Sequence, residues 1–145
     1  LLQGVAHATL KGFGSEGNRA KLKHQLHLLL YRFPIELQQI DQGEAQHPDF
    51  KLPLRVQRLK LTGHTLETLY RVSASDLVGE PDRKALEQIA AEVIKSVVLL
   101  QEVGAFKQLD KIKRANEQLY LDIVGDSAHA LRGLRIATAQ SPVYY

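Results

Sequence analysis

The chain has 145 residues, of which 44% are hydrophobic and 24% are charged, and these values predict one globular domain with a sizeable core. The absence of cysteine excludes disulfides, thiolate metal ligands and a cysteine nucleophile, and we expect a cytoplasmic protein. No apolar run approaches the roughly 18 to 20 residues of a membrane-spanning helix, and the net charge of +3 leaves polyanions among the possible partners.

Four apolar stripes, stepping by three or four residues, follow one another along the chain and are typical of amphipathic helices. The first three stripes are Leu22, Leu26, Leu29, Phe33, Leu37 and Ile40, then Leu52, Val56, Leu59, Gly63, Leu66 and Tyr70, then Leu86, Ala90, Val93, Val97 and Leu100. The fourth stripe is thinner and comprises Ile112, Ala115, Leu119 and Ile123. The pattern predicts four helices, over about 19–41, 51–74, 81–104 and 107–125.

Proline and glycine positions predict where these helices bend, pack closely and end. Pro34 predicts a bend within the first helix, and Gly63, at a core-facing position of the second, predicts close approach by a neighbouring helix. Gly104 is a natural C-cap for the third helix, whereas the polar stretch 41–50 predicts a loop.

The expected fold is an all-α, antiparallel, up-down-up-down four-helix bundle with an N-terminal arm, because short connections join helices of similar length. We expect an N-terminal arm or short helix over 1–17, the four-helix bundle over 18–136 and a C-terminal tail over 137–145.

Basic residues recur in register with two of the predicted helices and form the candidate site. Net charge is positive over 1–24, 51–75 and 103–145 and negative over the segments between them. Lysine and arginine in this arrangement can neutralise phosphates without reading bases. The predicted nucleic-acid-binding residues are Lys51, Arg55 and Arg58 on the second helix and Lys107, Lys111 and Arg114 on the fourth. The alternative is a solvated face with intrahelical ion pairs, such as Lys107 with Asp110.

Other motifs resemble catalytic or metal sites only in part. The stretch 12–17 matches GxGxxG but lacks the preceding strand of a dinucleotide fold. His24 and His27 have a metal-ligand spacing without a third ligand nearby. Glu44 with His47, and Asp126 with His129, imitate the Glu-x-x-His spacing of di-iron ligands. A di-iron site needs this motif on two helices and a further Glu from each of two others, whereas Glu44 falls in the predicted loop. We therefore predict no enzyme, no cofactor and no metal site.

Several short stretches resemble the accessory variability determinant proteins of diversity-generating retroelements and their four-helix relatives. The stretches are 28–34 (LLLYRFP), 66–71 (LETLYR), 99–104 (LLQEVG) and 122–125 (DIVG), which together span about residues 25–135. The resemblance implies a non-enzymatic basic bundle that forms a ring-like homo-oligomer and binds nucleic acid together with a reverse transcriptase. Residues 69–73 and the following helix to Phe106 are similar to a segment of the TIPE lipid-transfer proteins, which implies a lipid cavity.

We therefore expect a helical-bundle accessory protein that self-associates, binds RNA or DNA through its basic strips and acts with a partner protein such as a reverse transcriptase. Two alternatives remain from the sequence. One is a helical protein-interaction or scaffold module that does not bind nucleic acid, and the other is a lipid-binding helical bundle.

Overall fold

The computed structural model describes residues 16–73 and 80–140, and the regular elements within these ranges are all helical. The α-helices are α1 (Glu16–Gln46), α2 (Lys51–Ser73), α3 (Glu80–Glu102), α4 (Leu109–Ala115) and α5 (Glu117–Gln140), with 3-10 turns at Pro48–Phe50 and Phe106–Gln108. The predicted all-α class is confirmed for these ranges. Most of the expected N-terminal arm, the connection 74–79 and residues 141–145 of the expected tail lie outside them. None of the helices described is long and apolar enough to cross a membrane.

The first helix is longer than predicted. α1 continues through Pro34 as one element and then to Gln46, so most of the predicted loop 41–50 is helical. Gly43 does not end it, and a Cβ atom added there would lie 3.8 Å from Leu54 of α2, an ordinary van der Waals contact. The helix stops before Pro48, whose ring disfavours helical geometry at the preceding residue, and His47 accordingly has φ −130° and ψ 73°.

The third helix ends as predicted, at a glycine. Gly104 has φ +71°, a conformation that glycine adopts without steric cost. The N–H of Ala105 donates to the carbonyl of Leu100 at 3.1 Å, which is the long hydrogen bond of a Schellman cap. This cap satisfies a free carbonyl of α3 and turns the chain toward α4.

The predicted fourth helix is divided in two. Asn116, with φ −155° and ψ 93°, interrupts it between α4 and α5. Its side-chain oxygen accepts a hydrogen bond from the N–H of Leu119 at 3.0 Å and thereby caps α5. Gly125 and Gly133 lie inside α5 and do not end it, and α5 extends to Gln140 through residues that the sequence assigned to a tail.

The helix α2 lies at the centre and packs against α1, α3 and α5, and α3 also packs against α5. Ion pairs connect α2 with α1 and α3. Moving forward along α2, their partners lie progressively earlier in α1 and in α3, so both neighbours are antiparallel to α2. These pairs are Arg55–Glu44, Arg58–Asp41, Arg58–Glu92 and Arg55–Glu102.

The helix α5 runs parallel to α2 and approaches it closely. A Cβ atom added to Gly63 would lie 3.1 Å from backbone and side-chain atoms of Ala130, which confirms the predicted close approach. One turn further along both helices, a Cβ added to Gly133 would lie 3.2 Å from Leu66. Because positions 63 and 66 meet positions 130 and 133 in the same order, the two helices point the same way.

The core follows the first three predicted stripes. Their buried members are Leu22, Leu26, Phe33, Ile40, Val56, Leu59, Leu66, Tyr70, Leu86, Val93 and Leu100. From the fourth stripe only Ile123 is buried, while Ile112 and Leu119 are half-buried and Ala115 is exposed. The thin fourth stripe therefore belongs to two separate helices at the edge of the core.

Candidate polyanion-binding site

Three of the six predicted basic residues meet in one shallow depression on the surface. Lys107 follows the cap of α3, and Lys111 and Arg114 lie four and three residues further along, so the helical turn places all three on one side. They are exposed, and with Gln108, Asp110 and Ala115 they line a depression of about 560 Å³. Among the residues described, none of the three forms a salt bridge within 4.0 Å. We call these three residues the α4 cationic site.

Lys51 lies at the same end of the molecule as the α4 cationic site. It is exposed at the first position of α2. One turn later, Arg55 reaches Glu102 at the last position of α3, so the start of α2 adjoins the end of α3. The chain enters the Lys107 turn within five residues of that point.

Arg55 points inward and is only 7% exposed. Its guanidinium donates to Glu44 of α1 at 2.9 Å and to the carbonyl of Leu99 of α3 at 2.6 Å. Glu102 contributes a further oxygen at 3.4 Å. The Arg55 side chain on α2 therefore connects the start of α2 with the ends of α1 and α3. Its guanidinium is occupied by these partners and is not accessible to a phosphate.

Arg58 is fully buried, with 0% exposure. Its Nε donates to Asp41 of α1 at 2.9 Å, and its terminal nitrogens donate to the carboxylate of Glu92 and to the hydroxyl of Ser96 at 2.6 Å on α3. Thr62 shares the hydroxyl of Ser96 at 3.1 Å. Carboxylates from both neighbours neutralise this charge, so Arg58 stabilises the interior.

These two arginines correct the predicted strip on α2. Lys51, Arg55 and Arg58 do not form one basic surface, because the second and third face the core and only the first faces solvent. Helical spacing carried a signal for Arg55, which lies three residues after Leu52 and four before Leu59 of the predicted stripe. It carried none for Arg58, since the residue four further along is the polar Thr62. The carboxylates that neutralise them come from α1 and α3, which sequence spacing does not reveal.

A buried carboxylate on α2 was not predicted. Glu67 of α2 is 1% exposed and is contacted by His129 and Arg132 of α5 and by Arg71 at 2.8 Å. Burial by itself raises the pKa of Glu67, but hydrogen bonds from His129 and Arg71 and the nearby positive charges outweigh it. The net result is a pKa below the ordinary value, so the carboxylate is held ionised.

His64 extends this polar contact between α2 and α5. Its Nε2 lies 3.0 Å from Asp126, and its ring centroid lies 4.0 Å from that of His129 with the two ring planes inclined at 36°. In residues 16–73 and 80–140, no group of three or more histidine or acidic side chains is arranged to hold a metal ion. His24 and His27 are both exposed on α1.

A larger groove of about 690 Å³ separates α1 from α3. Leu30, Phe33, Leu37 and Ile89 give it an apolar floor, while polar side chains including Gln38, Gln42, Asp41 and Glu92 line its walls. Such a mixed, open groove is the place that a lipid ligand would take if the sequence resemblance to lipid-transfer proteins extends to function.

Comparison of the chain with protein-family models, with curated proteins and with solved structures finds no match. The resemblances to retroelement accessory proteins and to lipid-transfer proteins therefore stay predictions from short stretches of sequence. The function has to be inferred from the chemistry of the surface described above.

Proposed function

We propose that this protein is a non-enzymatic helical accessory protein that binds RNA or DNA and acts with a partner protein such as a reverse transcriptase. The observation that carries the proposal is the α4 cationic site, in which Lys107, Lys111 and Arg114 are exposed together on one depression. Lys51 at the same end adds a fourth cation. Arg55 and Arg58, which the sequence also assigned to the interface, are buried and pair with acidic residues of α1 and α3.

For the scaffold we propose an up-down-up-down four-helix bundle formed by α1, α2, α3 and α5. The antiparallel contacts of α2 with α1 and α3 support it, as does the parallel direction of α2 and α5. In this bundle the diagonal pair α2 and α5 is in close contact. Among the described helices α1 packs mainly against α2, and the groove lies between α1 and α3.

The cationic site suits phosphates and not base edges. Lysine acts as a point charge and arginine as a fork of donors, and neither reads a sequence from the backbone side of a duplex. Up to four phosphate contacts would release counterions, so the logarithm of the affinity should fall with the logarithm of salt concentration at a slope of about −3 to −4.

The test measures binding of a duplex DNA and a structured RNA over a salt series. The variant Lys107→Glu, Lys111→Glu, Arg114→Glu should lose at least about tenfold in affinity at low salt and show a shallower slope. A matched control, Lys60→Glu, Lys84→Glu, Lys95→Glu, changes net charge equally at exposed positions away from α4. We expect it to retain most of the affinity. Circular dichroism should show the same helicity for both variants.

Two outcomes would contradict the proposal. Equal losses in the two variants would mean that net charge alone drives association, and absence of binding at low salt would remove nucleic acid as a ligand. The remaining functions would then be a protein-interaction or scaffold module, supported by salt-insensitive association with a protein partner, and a lipid-binding bundle, supported by lipid that co-purifies in the groove between α1 and α3.

A further inference from the structure

The outer side of α5 carries an apolar stripe that the described residues leave uncovered. Leu121 is 52% exposed, Val124 45% and Leu131 64%, and the smaller Ala128 is exposed between them. Their spacing of three, four and three residues places them along one side of the helix. Large aliphatic side chains in a continuous stripe mark an interaction surface more often than singly scattered ones do.

The stripe ends in opposite charges. Glu117 lies four residues before Leu121, and Arg135 lies four residues after Leu131, so both continue the same side of α5. All these positions are symmetric about residue 126. Glu117 mirrors Arg135, Leu121 mirrors Leu131 and Val124 mirrors Ala128.

We propose that this stripe binds the same stripe of a second copy of the chain, with the two α5 helices antiparallel and the two-fold axis near residue 126. A two-fold axis requires a self-complementary surface, in which residue i meets residue j and j meets i. The symmetric stripe meets that requirement, because Glu117 then faces Arg135 of the second copy at both ends and aliphatic side chains face each other between them. Parallel pairing would instead bring like charges together.

Gly125 supports the same arrangement. A Cβ atom added there would meet nothing within 4 Å, in contrast to Gly63 and Gly133, which the contact between α2 and α5 explains. A glycine inside a helix is destabilising by roughly 0.5–1 kcal/mol relative to alanine, so a position without an internal reason for it is unusual. Gly125 lies midway along the stripe but about 100° around the helix from Val124, so it borders the proposed interface, whereas Ala128 lies within it. Both small residues leave room for a second helix to approach closely.

The stripe lies on the side of α5 opposite the buried Ile123, Asp126 and Ala130. It therefore faces away from α2, and from residue 117 to residue 135 it is about 27 Å long.

The arrangement is tested by disulfide trapping in a chain without native cysteine. In the antiparallel pair, Leu121→Cys of one copy faces Leu131→Cys of the other, whereas two copies of the same position are about 15 Å apart along the axis. That distance exceeds the reach of a disulfide. We expect a mixture of the two single variants to form a covalent dimer under mild oxidation, and each variant alone to form little.

A second measurement uses the mass in solution. Light scattering or sedimentation should give a dimer for the unmodified chain and a monomer for Leu131→Lys, while the control Ile35→Lys, at an exposed aliphatic position on α1, should stay dimeric. Glu117→Arg and Arg135→Glu should each weaken the dimer, and the double variant should restore it. A monomeric unmodified chain, or equal cross-linking by single variants and mixture, would overturn the proposal. Neither result depends on nucleic-acid binding, so the two proposals can fail separately.

Discussion

Arg58 and Arg114 are the same residue type in opposite environments. The guanidinium of Arg58 is surrounded by Asp41, Glu92 and Ser96, whereas Arg114 is exposed in a surface depression. Arginine cannot lose its proton inside a protein, so burial is tolerated only where several acceptors satisfy its planar fork. At the residue scale, the hydrogen-bond acceptors around an arginine therefore decide whether its charge is satisfied inside the protein or stays accessible at the surface.

The first prediction concerns this buried charge. Arg58→Ala should lower the free energy of unfolding by about 3 kcal/mol, because it removes a fully buried side chain and leaves the buried hydroxyl of Ser96 without its donor. The loss of Asp41 and Glu92 as partners adds less, since both carboxylates are partly exposed. Arg114→Ala, the matched surface control, should change it by less than about 0.5 kcal/mol. Urea unfolding followed by circular dichroism measures both. Similar small effects in the two variants would show that Arg58 is not the centre of the interior ion pairs.

The contact between α2 and α5 shows what small residues do at the scale of helices. The closest approach is at Gly63 and Ala130, and Gly133 repeats it one turn later against Leu66. Spacing alone indicated a close neighbour at Gly63 but could not say which helix it was. Because α2 and α5 are parallel and more than sixty residues apart, only the folded chain identifies the pair.

A pair of glycine substitutions tests this packing. Gly63→Ala should destabilise the fold by about 1–3 kcal/mol, because the added methyl group meets the backbone of α5, which cannot move aside cheaply. Gly125→Ala should stabilise the chain by up to about 1 kcal/mol, since its methyl group meets nothing and alanine favours helix. Thermal unfolding at one low protein concentration compares them. A stabilising Gly63→Ala would contradict the close approach described here.

The division between α4 and α5 illustrates a limit of periodicity. Ile112, Leu119 and Ile123 keep a helical spacing across Asn116, so the pattern alone indicates one continuous helix. Asn116 has a low helix propensity and a short side chain that can satisfy a free N–H of the following turn. The break occurs where this cap replaces an intrahelical hydrogen bond. It lets α4, with the cationic site, lie at an angle to α5, which a continuous helix would not allow.

At the scale of the whole molecule, the charged groups couple stability to pH. Glu67 stays ionised in the folded protein because its pKa lies below the ordinary value of 4.5, after hydrogen bonds and neighbouring charges outweigh its burial. A carboxylate whose pKa falls on folding stabilises the folded state above its unfolded pKa. That contribution is lost as the pH decreases from about 4.5 through the lower pKa of the folded state.

The corresponding prediction compares Glu67→Gln with the unmodified chain from pH 7 to pH 3. The difference in unfolding free energy should be largest above about pH 4.5 and should shrink below it, because the protonated carboxyl no longer gains from His129 and Arg71. Val56→Ala serves as control, since it weakens the core without removing a titratable group, and its difference should stay constant with pH. A constant difference for Glu67→Gln as well would contradict an ionised, stabilising Glu67.

The sequence by itself determined the helical class, three of the four apolar stripes, the extent of α2, the cap at Gly104 and the exposed cations of α4. These features depend on local spacing and on the preferences of single residues, which neighbours in sequence supply. Only the tertiary structure decided that Arg55 and Arg58 belong to the interior and that Glu67 meets His129. It also decided which side of α5 is left uncovered by the part of the chain that the structure describes. The physical reason is that a charge or an apolar side chain is stabilised by the groups around it in space, and those groups come from helices that are distant in the chain.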